Sequence, residues 1–338
     1  MSPPPGGSSP APARLSVFVA GALVGALLTS VLAPRAPAPL GASPLRSADG
    51  GGGGARVPTL SVAAGASASS SSSSSSSFTP PPWWDVDDAP KLRAPACAAA
   101  TMQRAAGAEG WPSFLEVVSA SGSDKGTNAA FPPDKAHEYA PLYAKYLGPL
   151  RDRAMRVLEI GLGCGMPVEG ASIPLWRRYL PCASLFMMEL HGDCLQKWAP
   201  QLDGIAIGDQ SLPADLAKAF ALGPFQVIID DGGHSMLQQT VTIREAMRVL
   251  PEGGLLVVED LLTSFLPNFF DIGDRLEGRT QTAHRFIADV IQFMHRKAET
   301  QYYVTEPAMA GAREVAALTE SVDCFREACV FVRNKRPV

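Results

Sequence analysis

The chain has 338 residues, of which 18% are charged, a formal net charge of −4 at pH 7 and a sequence pI ≈ 5.8. Its lysines and arginines form no cluster that could neutralise phosphate groups, which argues against a nucleic-acid-binding surface.

Six cysteines are spread along the chain, at positions 97, 164, 182, 194, 324 and 329. They include no C-x-x-C pair, so the pattern argues against a zinc ribbon and against thioredoxin-like chemistry. The spacing favours buried free thiols, and a disulfide such as Cys182 with Cys194 is the alternative.

The N-terminal region is predicted to contain a membrane anchor. Residues 1–14 form a short tail, and residues 15–33 read LSVFVAGALVGALLTSVLA, an uncharged apolar run. As a helix this run is about 28 Å long, close to the hydrocarbon thickness of a bilayer. We expect an uncleaved transmembrane signal anchor. A cleaved signal peptide is the alternative, although Pro34 would fit poorly just after a cleavage site.

A low-complexity segment follows the predicted anchor. Residues 34–105 are rich in Pro, Gly, Ser and Ala, with five consecutive glycines at 50–54 and an unbroken serine run at 69–77. Such a composition is typical of a flexible tether, so we predict a disordered stalk. The remaining residues, 106–338, are enough for a single folded domain.

The folded domain opens with polar and aromatic segments. A helical pattern covers residues 111–119, and the polar loop SGSDKGTN follows at 121–128. Between His137 and Tyr146, tyrosines recur at near-helical spacing, which more often marks one packed face of a helix than a binding site.

Residues 156–165, RVLEIGLGCG, indicate a buried strand that runs into a glycine-rich turn. Gly161 and Gly163 allow the backbone to turn sharply beside a ligand, and Glu159 precedes them. A dinucleotide-binding G-x-G-x-x-G needs Gly or Ala where Met166 stands, which disfavours a nicotinamide oxidoreductase. The spacing E-x-G-x-G is typical of the S-adenosylmethionine loop of class I methyltransferases.

Strand and helix patterns alternate after this turn. Strands are predicted at 184–190, 204–207, 226–230 and 255–260, with a helix at 235–250 between the last two. This alternation predicts an α/β fold with a doubly wound, mostly parallel sheet whose ligands lie at the carboxyl ends of its strands. A helix at 284–295 and short strands at 320–324 and 328–332 predict a C-terminal antiparallel hairpin.

Acidic residues and a histidine follow two of these strands. Asp231 and His234 come after one strand, and Glu259 and Asp260 end the next. Carboxylate oxygens suit Mg²⁺ or a similar divalent cation, and a histidine beside it can act as a general base. The structural alternative is that the acids cap helices and that His234 caps a turn.

Several motifs together resemble the macrocin O-methyltransferase family of magnesium-dependent sugar O-methyltransferases. These are SDKGTN, the His137 to Tyr146 segment, LEIGLGCG with GASIPLW, GDQS, IIDDGGH and VVEDL, which span about residues 114–265. The resemblance implies a class I methyltransferase fold, Rossmann-like, that uses S-adenosylmethionine and Mg²⁺.

The resemblance also implies roles for individual residues. Asp231, Glu259 and Asp260 would bind the metal, and His234 would be the catalytic base. The residues implied at the S-adenosylmethionine site are Ser123, Asp124, Lys125, Glu159, Gly161, Gly163, Ser172, Glu189, Asp209, Gln210 and Asp230. Glu189 stands where the family usually has an aspartate.

The sequence therefore predicts an O-methyltransferase whose acceptor is a sugar hydroxyl on a glycan or glycoconjugate. An anchor, a stalk and a head of this kind are typical of type II Golgi enzymes, so we expect a single-pass membrane protein with a lumenal catalytic domain. The alternatives are a non-catalytic interaction module with a methyltransferase fold, disfavoured because all the metal-binding acids are present, and a methyltransferase for a non-sugar small molecule.

Overall fold

Seven strands form one sheet in the part of the chain that the structure describes. They are β1 (Met155–Ile160), β2 (Ala183–Glu189), β3 (Gly204–Ile207), β4 (Val227–Asp230), β5 (Leu255–Val258), β6 (Thr319–Cys324) and β7 (Cys329–Arg333). The strand order is β3-β2-β1-β4-β5-β7-β6. Strands β1 to β5 pair in parallel, while β7 is antiparallel to both β5 and β6. The predicted mostly parallel sheet with a C-terminal hairpin is confirmed.

This computed structural model describes residues 94–105, 111–270, 281–295 and 308–335. All of them belong to one compact unit, Ser72–Val338. The predicted tail, the anchor at 15–33 and most of the predicted stalk lie outside the described residues. Within the described ranges, no helix combines the length and the apolar character that a membrane crossing needs.

Helices cover both faces of the sheet. They are α1 (Ala94–Ala105), α2 (Phe114–Ser121), α3 (Ala140–Tyr146), α4 (Ser172–Tyr179), α5 (Gly192–Trp198), α6 (Pro213–Phe220), α7 (Met236–Val249), α8 (Ala283–Met294) and α9 (Ala312–Leu318). Local sequence sets several of their ends. For example, Ser113 with Glu116 and Ser235 with Gln238 form capping boxes at the starts of α2 and α7.

Two hydrophobic clusters lie on opposite faces of the sheet because successive strand residues point to opposite sides. Val157 and Ile229 pack on the face covered by α2, α3 and α4. Leu158 and Ile228 pack on the other face, with α6 to α9. The strands are therefore apolar almost throughout, which is why their sequences could be recognised.

Residues Ala94–Ala105, which composition placed in the stalk, form helix α1 instead. Cys97 in this helix is bonded to Cys182, which lies just before β2. The cross-link ties α1 to the amino end of a central strand, so the predicted stalk differs from the structure at this end.

All six cysteines form disulfides: Cys97 with Cys182, Cys164 with Cys194, and Cys324 with Cys329. The expectation of buried free thiols is therefore wrong, as is the pairing of Cys182 with Cys194. Spacing could not show the true pairs, because sheet order brings the partners together over 85 and 30 residues in the two longer links.

Candidate functional site

The glycine-rich turn after β1 brings the backbone directly against the end of β4. Gly161 and Gly163 have φ of 98° and 72°, in the region that favours glycine. A Cβ atom at Gly161 would lie 1.9 Å from the carbonyl oxygen of Asp231. Only glycine fits there, and the turn consequently lies beside the acids that follow β4.

Acids on the β2 and β3 side of this turn bind backbone N–H groups. The Glu189 carboxylate accepts hydrogen bonds from Leu162 N at 2.9 Å and from His191 N at 3.0 Å. The Asp209 carboxylate accepts one from Ser211 N at 2.8 Å. Glu189 therefore fixes the glycine-rich turn, and its predicted contact with the cofactor ribose stays a prediction.

Gln210 and Asp230 form a buried pair behind the turn. Gln210 Nε2 donates to Asp230 Oδ1 at 2.8 Å, and Gln210 Oε1 accepts from Gly233 N at 2.8 Å. Asp230 is fully buried and its Oδ2 has no hydrogen-bond partner. Burial raises the pKa of Asp230 to about 6, since the charged form loses its water.

Three residues after β4 and β5 come together as a candidate metal group. The ligand atoms of Asp231, His234 and Asp260 all lie within 4.8 Å of one another. His234 Nε2 is 3.8 Å from Asp260 Oδ2, whereas His234 Nδ1 is buried without a hydrogen-bond partner. Both His234 and Asp260 have positive φ, of 57° and 54°. Positive φ is uncommon for residues other than glycine, although Asp and His adopt it more readily than most, and such residues cluster at functional sites.

Glu259, the third predicted metal ligand, lies outside that group. Its Oε2 accepts a hydrogen bond from Lys125 Nζ at 2.6 Å, and its Oε1 accepts one from the Tyr143 hydroxyl. Glu259 is only 1% exposed, and burial raises its pKa although Lys125 opposes this effect. Its metal-binding role therefore stays a prediction.

Lys125 and its neighbours in the 121–128 loop lie beside the acids. Lys125 Nζ also contacts Asp231 Oδ2 at 2.5 Å and Glu159 Oε1 at 3.4 Å. Ser123 Oγ accepts from Lys125 N at 3.3 Å, and the Ser172 hydroxyl donates to Glu159 Oε2 at 2.7 Å. The predicted cofactor residues Ser123, Lys125, Glu159 and Ser172 thus form one network with the acids.

Asp124, the remaining predicted cofactor residue of this loop, lies next to the same charges. Its carbonyl oxygen accepts a hydrogen bond from His137 N at 2.8 Å. Burial raises the pKa of the Asp124 carboxyl, and the neighbouring Asp231 raises it further.

Sequence reasoning missed a second histidine, His137. Its Nδ1 lies 2.8 Å from Glu327, its Nε2 lies 3.5 Å from Asp260, and its ring stacks on Tyr139 at a centroid distance of 4.9 Å. Burial alone would lower the pKa of His137, but Asp260 and Glu327 raise it.

The tyrosines of this segment combine packing with hydrogen bonding. Tyr139 and Tyr143 are buried, as a packed helix face predicts. Their hydroxyls nevertheless reach the site, because Tyr139 accepts a hydrogen bond from Asp260 N at 3.0 Å and Tyr143 donates to Glu259. The signals of this role in the sequence were the polar end of each ring and the place of this segment among the motifs that carry the family resemblance.

Comparison with known proteins identifies sugar O-methyltransferases as relatives. No protein-family model matches the sequence. The 8-demethyl-8-alpha-L-rhamnosyl tetracenomycin-C 2'-O-methyltransferase of Streptomyces olivaceus is 30% identical over 243 residues, which make up 70% of this chain and 61% of that protein. The demethylmacrocin O-methyltransferase of Streptomyces fradiae is 29% identical over 136 residues, 39% of this chain and 34% of that protein. The chain thus spans less than two thirds of these relatives.

A solved structure shows the same fold. The MycE methyltransferase from the mycinamycin biosynthetic pathway, in complex with Mg and SAH, is 22% identical with a TM-score of 0.53, over 66% of this chain and 55% of that chain. The predicted class I methyltransferase-like α/β fold is therefore confirmed. The sequence relatives also confirm the resemblance carried by the motifs, because they are sugar O-methyltransferases that include the demethylmacrocin enzyme.

Proposed function

We propose that this chain transfers a methyl group from S-adenosylmethionine to a sugar hydroxyl, with the help of a divalent metal ion such as Mg²⁺. The observation that carries the proposal is the group formed by Asp231, His234 and Asp260 beside the glycine-rich turn. The sugar O-methyltransferases among its relatives support the choice of acceptor.

The donor atoms at the end of β4 and β5 fit a divalent ion. Asp231 and Asp260 offer carboxylate oxygens, and an imidazole nitrogen of His234 lies beside them within the same 4.8 Å limit. Carboxylates in a half-buried site are the ligands that Mg²⁺ and Mn²⁺ prefer. Of the predicted ligands, Asp231 and Asp260 are the best placed to hold the ion, and Glu259 would join them by releasing a present hydrogen bond.

The residues around the glycine-rich turn fit a nucleoside-containing cofactor. Gly161 and Gly163 keep side chains away from the turn, and buried Asp230 Oδ2 offers a hydrogen-bond acceptor that no protein group uses. S-adenosylmethionine supplies the methyl group of the reaction. Glu189 fixes the turn by accepting a hydrogen bond from Leu162 N, and Asp209 fixes the neighbouring loop after β3 by accepting one from Ser211 N.

His234 is placed to accept the proton of the sugar hydroxyl. Because Nδ1 is buried, Nε2 is the nitrogen that faces the site. Asp260 lies 3.8 Å from this nitrogen and stabilises the imidazolium once the proton has arrived. A bound divalent ion supplies positive charge that makes the hydroxyl easier to deprotonate. The carboxylates of Asp231 and Asp260, the base His234 and the glycine-rich turn therefore all lie at one rim of the sheet.

The test is a methyl-transfer assay with the chain, labelled S-adenosylmethionine and a panel of rhamnosides and other glycosides. We expect transfer to at least one glycoside, loss of transfer in excess chelator and recovery with added Mg²⁺, while S-adenosylmethionine still binds in chelator. Full turnover in excess chelator would remove the metal from the mechanism. Transfer only to non-sugar phenols or acids would show that the methyl acceptor is not a sugar hydroxyl.

We further propose that residues 15–33 anchor the protein in a membrane of the secretory pathway, with the methyltransferase domain in the Golgi lumen. The three disulfides support this location, because disulfides persist in oxidising compartments. The protein should resist carbonate extraction, and intact vesicles should protect its domain from protease. Digestion of the domain in intact vesicles would place it on the cytosolic side.

A further inference from the structure

Lys125 is a cation enclosed by acids from three neighbouring strands. Its Nζ lies 2.6 Å from Glu259 after β5, 2.5 Å from Asp231 after β4 and 3.4 Å from Glu159 at the end of β1. The Lys125 side chain is only 1% exposed. Three carboxylates therefore share a single ammonium group.

Asp231 belongs both to this cluster and to the candidate metal group. Its Oδ2 binds Lys125, and it also offers a ligand atom to the group with His234 and Asp260. An ammonium group and a divalent ion would thus share one carboxylate. Two positive charges so close together repel each other strongly where water is scarce.

We propose that Lys125 is an internal positioning cation that holds these carboxylates together without metal and weakens the binding of the divalent ion. The inference rests on the proposed function, because it concerns the same metal group. It goes beyond that function because the loop at 121–128, which was predicted to bind the cofactor, would through Lys125 also set how tightly the metal binds.

The charge balance explains why a cation is needed there. Buried carboxylates of like sign repel, and each is costly to bury without a partner. Lys125 donates hydrogen bonds directly to Asp231 and Glu259. The second carboxylate oxygen of Glu259 accepts a hydrogen bond from the Tyr143 hydroxyl, and Glu159 Oε2 accepts one from the Ser172 hydroxyl. A divalent ion is a second partner of the right sign that the proposed chemistry brings to this place, in addition to the sulfonium group of S-adenosylmethionine.

The test replaces the lysine by an uncharged residue of similar length, Lys125→Met, and measures metal binding without any turnover. The control is Lys145→Met, which removes a half-exposed lysine that pairs with Asp323 at 2.5 Å. Mn²⁺ binding is measured at pH 8 by electron paramagnetic resonance, and the melting temperature is measured with chelator and with Mn²⁺.

We expect Lys125→Met to bind Mn²⁺ at least about ten-fold more tightly than the unaltered chain, since the competing charge is gone. In chelator the variant should melt at a lower temperature, and Mn²⁺ should restore most of the loss. Lys145→Met should leave the Mn²⁺ affinity unchanged. The double variant Lys125→Met with Glu259→Gln removes one charge of each sign and should recover stability in chelator.

Weaker or unchanged Mn²⁺ binding by a folded Lys125→Met would overturn the proposal, as would a stability loss that neither Mn²⁺ nor the double variant repairs. If Lys125→Met folds only with Mn²⁺ present, that result supports it. The metal part of the proposed function is tested separately, because it fails if the unaltered chain binds no Mn²⁺. If Lys125→Met binds Mn²⁺ and the unaltered chain does not, the role of the lysine is still supported. If neither protein binds Mn²⁺, both the metal site and the role of the lysine are overturned.

Discussion

The rim of the sheet has two sides that are held together in different ways. The side at the ends of β1 to β3, which we call the glycine side, consists of Gly161, Gly163, Glu189 and Asp209, and its acids accept hydrogen bonds from nearby backbone N–H groups. The carboxylate side, at the ends of β4 and β5, consists of Asp231, His234, Glu259 and Asp260. Its acids bind side chains from distant segments, such as Lys125 and His137.

This difference separates a rigid scaffold from a site of chemistry. Backbone donors fix the acids of the glycine side, and the Cys164–Cys194 disulfide links its turn to α5. The carboxylate side instead concentrates negative charge, strained backbone at His234 and Asp260, and a histidine nitrogen without a partner. We therefore expect changes on the carboxylate side to affect turnover, and changes on the glycine side to affect cofactor binding and stability.

The largest effect is expected for His234→Ala. If His234 is the base, the rate of methyl transfer should fall by about 10² to 10⁴, and higher pH should recover part of the loss as hydroxide replaces the imidazole. Affinity for S-adenosylmethionine and for Mn²⁺ should stay nearly the same. A steady-state rate assay and calorimetry measure these quantities.

The same variant distinguishes the two uses that the geometry allows for His234. A large loss of Mn²⁺ affinity would make it a metal ligand instead of the base, because it shares the group with Asp231 and Asp260. Unchanged turnover would leave it only the role of a turn residue.

The second effect concerns the disulfide on the glycine side. Replacing Cys164 and Cys194 by serine opens a link across 30 residues, for which loop entropy predicts a loss of about 3 to 4 kcal/mol in the free energy of unfolding. Opening the Cys324–Cys329 link across 5 residues should cost less. Denaturant unfolding measures both losses.

Only the variant without the Cys164–Cys194 link should also bind S-adenosylmethionine more weakly, because this link holds the glycine-rich turn. Equal cofactor affinity in the two variants would contradict that role.

Much of the sheet could be predicted because its signals are local. The glycine-rich strand, the strand at Gly204–Ile207 and the C-terminal hairpin were placed within one or two residues, since apolar runs and turn residues mark their ends. The helix α7 was equally clear from its capping residue and length. The helices α5 and α6 were not separately predicted, because each is short and follows a polar turn.

The carboxylate side could be predicted only in part. The acids were found because they end strands, but their partners are separated from them by large sequence distances. Lys125 lies 106 residues from Asp231 and 134 from Glu259, and His137 lies 190 residues from Glu327. Sheet order brings these residues together, and no local pattern records it. A resemblance to a family was needed to connect Lys125 with the site at all.

The third prediction tests the contact between the two sides, which is made at Gly161. Gly161→Ala would place a Cβ atom 1.9 Å from the Asp231 carbonyl oxygen at a φ of 98°. We expect a loss of about 2 to 3 kcal/mol in the free energy of unfolding, with weaker cofactor and metal binding. Gly165→Ala is the matched control, because Gly165 also has positive φ but nothing lies within 4 Å of its Cβ position. The control should lose about 1 kcal/mol. Equal losses would show that the approach to Asp231 is unimportant.

The smallest effect is expected for Glu189→Gln on the glycine side. Glu189 accepts two backbone hydrogen bonds, from Leu162 N and His191 N, one on each oxygen. Glutamine keeps one acceptor and turns an NH₂ group toward the other donor, which should lower the free energy of unfolding by about 1 to 2 kcal/mol. Glu138→Gln is the control, since Glu138 forms an exposed pair with Arg326 and should change stability little.

Binding of S-adenosylhomocysteine separates the two roles open to Glu189. If the carboxylate only fixes the turn, affinity should fall in proportion to the lost stability of the turn, by about ten-fold for 1.4 kcal/mol. If it also contacts the ribose, affinity should fall further. Glu189→Asp, which introduces the residue that the resembled family usually has, should then recover more of the affinity than of the stability. Calorimetry on the unaltered chain, Glu189→Gln and Glu189→Asp decides between the roles. If the side chain only fixes the turn, cofactor affinity and stability should change together in all three proteins.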